Sequence, residues 1–335
     1  MEKILILSAP LKEVIWGGNY FKNELKVTES DSKIGEMWSC SAHKNGPSYI
    51  LNGPFANLTL SEVFESHKEL FNNTSLKEFP ILVKLIATSD KLSVQVHPDD
   101  EYAKVNENQY GKTEGWLILD CKKDSSIIVS HNAKNKEELV RYIENDDYDN
   151  LLKKVTVKPG EFYPINSGTI HALGKDIVLL EIQQSSDVTY RFYDYHRKDK
   201  NGNERELHVK KAIEVTSFEN YDFNVKNCFE NDEKLLWDNK YFKVEYETIN
   251  SSFTLNNANK YCIVTVIDGQ IEVEENIINK GASFIVTSMS DKVNLKGNGK
   301  IVITYSKILH FIIVIKKGSF WKFRVFVGST QKIYG

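Results

Sequence analysis

The chain has 335 residues, 41% of them hydrophobic and 11% aromatic, with a formal net charge of −3. That length exceeds the usual single core and predicts two domains. The near-neutral balance, with a pI near 6.3, excludes the basic footprint of a nucleic-acid binder; basic residues do crowd positions 191–211, but Glu204 and Glu206 dilute them. Four cysteines, Cys40, Cys121, Cys228 and Cys262, stand far apart with no C-x-x-C pair, which argues against a disulfide framework or a thiolate zinc site. Reduced thiols in a cytoplasmic protein are expected. The N-terminal run ILIL is too short for a signal peptide, and ILHFIIVI at 308–315 falls far below the roughly 18 apolar residues a membrane span needs.

Residues 1–90 predict short strands and one helix. TLSE at 59–62 is a capping box, and Val63, Phe64, His67, Leu70 and Phe71 follow helical spacing as far as Asn72 and Asn73. From 81 onward β-patterned runs dominate: ILVKLIA, KLSVQVH, EGWLILD, SSIIVS, KKVTVKPG, IVLLEIQQ and VTYRFYDY, separated by turn residues. A helix is predicted over 135–152, with Leu139, Tyr142 and Ile143 inward, and a second over Lys210 to Phe218. After about 225 strands return, with DGQIEV as a hairpin signal. The expectation is a mainly β chain: a sandwich domain with helical decoration over 1–225, and a smaller β domain over 226–335. The last 30 residues, 306–335, carry no Asp or Glu and several Lys and Arg among apolar residues; they read as an added strand pair or a tail.

Polar residues on the predicted strand faces suggest chemistry. Gln95 and His97 share one face of KLSVQVH, with Cα atoms about 7 Å apart. Histidine is the commonest neutral metal ligand, and glutamine adds an amide oxygen without charge. Lys112 and Glu114 share a face in GKTEGW, His171 stands among apolar neighbours in GEFYPINSGTIHALG, and Glu181, Gln183, Asp187 and Arg191 punctuate EIQQSSDVTYRFYDY. Singly these read as surface polarity, an exposed ion pair and a core histidine. Together Gln95, His97, Glu114 and His171 offer O, N, O and N donors, a set suited to zinc in an open site. One carboxylate against a divalent cation leaves positive charge, which Lys112 and Arg191 increase; that suits an anionic substrate and a developing oxyanion.

The sequence resembles the type I mannose-6-phosphate isomerases of the short bacterial kind, zinc enzymes of the cupin superfamily. The resemblance runs to about residue 305 and rests on IWGG, GEMWSCSAHKNGPS, LSVQVHPDDEYA, GKTE, SGTIHALG, EIQQSSDVTYRFYDY and RELHVKKA. It implies a cupin-type jelly-roll sandwich carrying one zinc ion per chain, a helical part and a second β domain. Residue by residue, it places the zinc ligands on Gln95, His97, Glu114 and His171, the active-site arginine on Arg191 and the active-site lysine on Lys112. Ser93 falls on a position associated with phosphate contact, and Glu181 and Asp187 on acidic pocket positions. The implied reaction interconverts mannose 6-phosphate and fructose 6-phosphate through a cis-enediol, the base being open among Glu181, water on the zinc and a pocket histidine. One departure is Asn166, which stands where the family has the proline of P-x-G-x-x-H, with Pro164 two earlier. Alternatives are a cupin dioxygenase, disfavoured by Gln95 where His-x-His is usual; a non-catalytic sugar-phosphate sensor, disfavoured by the presence of Lys112 and Arg191; and an isomerase of another aldose phosphate. The expected partner is a sugar phosphate, not nucleic acid or membrane, and the chain is a monomer or homodimer.

Overall fold

The computed structural model describes residues 2–198, 202–219, 223–258 and 260–307, together with the backbone of four three-residue strands between 315 and 332. The run ILVKLIA lacks polar alternation because it has no wet face. Strand Ile81–Ala87 is buried at every position, and its neighbour Ile177–Gln184 at all but one. Both lie inside a seven-stranded antiparallel sheet, ordered Lys226–Asn227, Glu161–Ile165, Glu114–Cys121, Ile177–Gln184, Ile81–Ala87, Ile34–Cys40 and Leu11–Gly18.

One face of this sheet, with Ile86, Trp116, Ile118, Tyr163 and Leu179, packs on Ile127, Val129 and Leu173 of a second sheet. That sheet has five strands, ordered Tyr190–Tyr193, Val94–Val96, His171–Leu173, Ser126–His131 and Leu152–Thr156. The two form the expected sandwich. The other face, with Ile81, Val83, Leu117, Leu180 and Ile182, packs on Leu60, Val63 and Phe64 and on Phe242, Val244, Ile263, Ile285 and Val302. The last five belong to a third sheet of seven strands, built from Ile4–Ile6, Ser283–Val286, Cys262–Val273, Lys292–Ser306, Phe242–Asn256 and Leu235–Asp238, with Asn276–Asn279 paired to Cys262–Val273. Its edge strand comes from the N-terminus, with Ile4 opposite Val286. The chain is mainly β, as expected, with a cupin-type sandwich and a smaller β unit.

Helices cover the outer face of the five-stranded sheet, where Leu139, Leu151 and Ala212 pack on Val94, Val96, Ala172 and Phe192. The helix expected over 135–152 is two, Lys136–Glu144 and Tyr148–Leu151. Between them Asp146 is left-handed, with φ 53°, in a run of Asn and Asp residues that compete with the helical backbone. The helix expected from Lys210 spans Val209–Val215. The capping box forms as read: Thr59 Oγ1 accepts from Glu62 N at 3.2 Å and Glu62 accepts from Thr59 N at 2.7 Å. The helix it starts ends at Ser66, and Lys68–Phe71 is a 3₁₀ turn. A helix not expected, Asp100–Asn106, follows strand Val94–Val96 directly, capped by Asp99.

DGQIEV is not a turn. Strand Cys262–Val273 runs through it, with a register shift between Val266 and Asp268. Gly269 (φ 70°) lies opposite Gly299, where a side chain would collide with the Asn298 carbonyl. The chain reverses instead at Glu274 and Glu275, both left-handed, with Val273 opposite Asn276. Within the 306–335 stretch, Ile315–Lys317 pairs with Phe320–Lys322 and Val325–Val327 with Thr330–Lys332; the rest of 308–335 lies outside the described residues. No helix among the described residues is long and apolar enough to cross a membrane.

Candidate active site and metal centre

Strand register gathers the polar residues between the two sheets of the sandwich. In the five-stranded sheet Gln95 lies opposite His171 on one side and Arg191 on the other. In the facing sheet Glu114 lies opposite Gln183, and Glu181 opposite both Trp116 and Lys84. His97, Glu114 and His171 come together with potential ligand atoms within 4.8 Å of one another, all three buried.

The hydrogen bonds fix how these groups present themselves. His97 donates from Nδ1 to the Val188 carbonyl, and His171 from Nδ1 to the Thr169 carbonyl, both at 2.8 Å. Each neutral ring therefore carries its lone pair on Nε2, and the two Nε2 atoms face each other at 3.2 Å. Glu114 lies between them, 3.3 Å from His171 Nε2 and 3.5 Å from His97 Nε2, and neither of its buried oxygens accepts a well-formed hydrogen bond. Two imidazole lone pairs and a carboxylate aimed at one point repel one another unless a cation joins them. Lys112 supplies part of that charge, its ammonium 2.9 Å from Glu114 Oε2 and 3.1 Å from His97 Nε2. The Gln95 side-chain amide borders the same place, its Nε2 3.4 Å from His171 Nε2. The donor set fits a metal ion on its own geometry.

Burial sets the protonation states. It pushes His97 well below the ordinary imidazole range, with Lys112 acting in the same direction. It lowers His171 to about 4. Both rings are neutral at pH 7 and ready to ligate. Burial, with the nearby Glu181 charge, raises Glu114; a bound cation would restore its ionisation.

The other expected residues surround this centre. Ser93 Oγ accepts from Arg191 Nε at 3.0 Å, and Arg191 Nη1 donates to the Glu206 carbonyl at 3.0 Å, so RELH at 205–208 holds the guanidinium in place. Glu181 is deeper, taking Trp116 Nε1–H at 3.0 Å and the Lys84 ammonium at 3.0 Å. Asp187 stands apart from the ligands, facing His43 Nε2 at 3.6 Å and accepting from Asn45 Nδ2. Asn166 still makes the turn: Thr169 N bonds its carbonyl at 3.1 Å, and Gly168 (φ 85°) donates to the His97 carbonyl at 2.8 Å. The His171 loop is thereby tied to the other ligand strand.

Comparison with known proteins decides the family. Residues 4–115 match the family model "Phosphomannose isomerase type I, catalytic domain" and residues 231–306 "Mannose-6-phosphate isomerase, cupin domain". A mannose-6-phosphate isomerase of Bacillus subtilis is 44% identical over 271 residues, covering 79% of this chain and 86% of that protein. One from Streptococcus mutans is 36% identical over 314 residues, covering 91% and 99%. The crystal structure of a mannose 6-phosphate isomerase from Bacillus subtilis superposes with a TM-score of 0.82 at 36% identity, covering 91% of this chain and all of that one. The chain belongs to the type I phosphomannose isomerase family.

In this phosphomannose isomerase, sequence reasoning missed a charged row beside the metal centre. Lys84 lies 3.0 Å from Glu181 and 3.9 Å from Glu36, and Glu36 accepts from the Trp38 indole at 2.7 Å. Trp116 packs edge-on against the His171 ring at 5.3 Å, so the row ends at the candidate metal site. The available signal was a lysine in the middle of ILVKLIA, where burial permits charge only if it is paired.

Proposed function

We propose that this enzyme interconverts mannose 6-phosphate and fructose 6-phosphate, with one zinc ion held by Gln95, His97, Glu114 and His171. The supporting observation is the buried set of His97, Glu114 and His171, with donor atoms within 4.8 Å of one another; Gln95 would add a fourth, and nitrogen and oxygen donors in that number suit zinc. Zinc bound there supplies Lewis acidity toward the sugar oxygens.

The side chains do the rest. Arg191, held by Ser93 and Glu206, presents its guanidinium to the phosphate, and the Ser93 hydroxyl adds a donor. Lys112 donates to a sugar oxygen at the reacting end. Burial pushes Lys84 down, but Glu181 and Glu36 outweigh it and hold the ammonium above its ordinary range. Lys84 therefore stays charged and faces the negative charge that develops as the C2 proton leaves. Glu181 is also held ionised: burial raises it, but Lys84, Lys112 and the Trp116 N–H prevail and lower it. A carboxylate held ionised in this way is a weak base, so Glu181 acts as the anchor of Lys84. Asp187 accepts a sugar hydroxyl at the rim. The proton taken from C2 returns at C1 and the O2 hydroxyl proton passes to O1, so the two sugars are isomers and the reaction needs no redox cofactor. The four cysteines are unpaired thiols, which fits a cytoplasmic enzyme.

The test is fructose 6-phosphate formation by wild type and Arg191→Ala. Wild type is expected to turn over, and Arg191→Ala to lose about a hundredfold or more in kcat/KM with its melting temperature unchanged. An inactive wild type refutes the substrate; an Arg191→Ala enzyme near wild-type rate refutes the role of Arg191.

A further inference from the structure

Residues 185–189 carry the chain from one wall of the sandwich to the other, linking strand Ile177–Gln184 to strand Tyr190–Tyr193. Asp187 lies on this crossing, next to Val188, whose carbonyl fixes His97. Its side chain is 33% exposed, so it borders solvent rather than the core. Both of its carboxylate oxygens face side chains from one distant loop. His43 Nε2 lies 3.6 Å from Oδ1, and Asn45 Nδ2 donates to Oδ2.

His43 is set for this contact. The Asn45 backbone N–H donates to His43 Nδ1 at 3.3 Å, so the neutral ring carries its proton on Nε2, toward Asp187. Only 9% of the His43 side chain is exposed, and burial lowers its pKa against the pull of Asp187. The loop is anchored at its base, where Ser48 N bonds the Ser41 carbonyl at 2.7 Å and His43 N bonds Ser41 Oγ at 3.1 Å. Trp38 connects it to the site. The His43 ring packs edge-on to Trp38 at 5.9 Å, and the Lys84 ammonium lies 5.3 Å from the same indole. Lys12 pins the outer side, donating to the Asn45 carbonyl and standing 4.7 Å from the Trp38 ring.

We infer that His43 and Asn45 are positioning residues: they fix the Asp187 carboxylate at the mouth of the cup so that it receives a hydroxyl of the aldose phosphate. This deepens, and rests on, the isomerase reading above. Among the described contacts, His43 and Asn45 are the side chains that meet the Asp187 carboxylate. A carboxylate offers about four lone-pair sites, so two donors from the loop leave others for a ligand. Ordering the carboxylate before binding removes that cost from the binding step.

The experiment compares His43→Leu, His43→Gln and Asn45→Ala, with His43→Leu also made in an Asp187→Asn background. The readouts are kcat and KM for mannose 6-phosphate, its Kd by calorimetry, metal content and melting temperature. His43→Leu and Asn45→Ala are each expected to raise KM and Kd about three- to tenfold, with kcat less affected and metal content unchanged. His43→Gln, whose amide can donate to the carboxylate, is expected to recover most of the loss. In the Asp187→Asn background His43→Leu is expected to add little, because coupled residues are not additive. Asn45 is exposed, so its variant reads positioning without a folding defect. Multiplicative effects of His43→Leu and Asp187→Asn, or unchanged KM and Kd in Asn45→Ala and His43→Leu, overturn the inference while leaving the isomerase reading intact. A wild type that neither binds nor converts mannose 6-phosphate overturns both.

Discussion

A lysine at position 84 is the residue that most needs its partners. Its side chain is 8% exposed and that of Glu181 5%, so removing either charge strands the other in a low-dielectric interior. Lys84→Met and Glu181→Gln are each expected to lower stability by about 3–5 kcal/mol, and the double variant to lose clearly less than the sum. Urea unfolding of the three variants checks this; additive losses would mean the two charges are independently solvated. Lys84 also shows the limit of sequence at this scale. Gln95 and His97 were visible because they are spaced two apart at the end of a strand, and Lys112 and Glu114 because they are spaced two apart at the start of one. The partner of Lys84 is set by register between strands far apart in sequence, with Glu181 opposite Lys84. Nothing local in the chain announces that pairing. His43 was hidden likewise, because its partner Asp187 is brought to it only by the crossing between sheets.

Among the elements, the segment after strand Tyr190–Tyr193 holds Arg191, which we propose faces the phosphate, and one buried aspartate organises it. Asp194 is 5% exposed and takes a two-pronged contact from Arg205, Nε to Oδ2 and Nη2 to Oδ1, both at 2.7 Å. Arg197 donates to the same carboxylate and to the Lys91 carbonyl. Burial raises the Asp194 pKa, but Arg205 and Arg197 outweigh it, and the net shift is below the ordinary value of 3.8. The folded value is thus below the unfolded one. Asp194 stabilises the fold fully above about pH 4, and that contribution is lost as pH falls through the folded value. Asp194→Asn is expected to cost about 3 kcal/mol at neutral pH and to flatten the acid limb of stability below about pH 4. A variant with the wild-type acid profile would show that other carboxylates set that limb. Sequence was a fair guide at this scale where chemistry is local. The Thr59–Glu62 capping box formed as read, and Thr59→Ala should cost about 1 kcal/mol. It was a poor guide where a turn signal competed with long strand pairing: Asp268 and Gly269 stay paired, opposite Lys300 and Gly299, because the neighbouring strand continues past them, and the reversal fell to Glu274 and Glu275.

Across the whole molecule the seven-stranded sheet of the sandwich is shared. Its inner face lines the metal centre, and its outer face is the floor on which the third sheet packs. This explains ILVKLIA and IVLLEIQQ, which read as continuous apolar runs because both faces are covered. It also explains why fold class was legible while the layering was not: alternation reports how many faces are buried, not what covers them. We propose the division near residue 225 as a domain boundary that the shared sheet couples energetically, with Lys226–Asn227 still paired in the sandwich and Ile4–Ile6 in the third sheet. Leu180→Ala, on the outer face, is expected to cost about 2–5 kcal/mol and to lower a single unfolding transition followed by calorimetry. Two separated transitions would mean the halves unfold independently. The proposed activity as a whole depends on the metal centre. Protein stripped with chelator is expected to lose conversion of mannose 6-phosphate to fructose 6-phosphate and to regain it at one equivalent of zinc per chain, while His171→Ala binds no zinc and regains nothing. Full turnover by the stripped protein, or one equivalent of zinc bound without turnover, would contradict it.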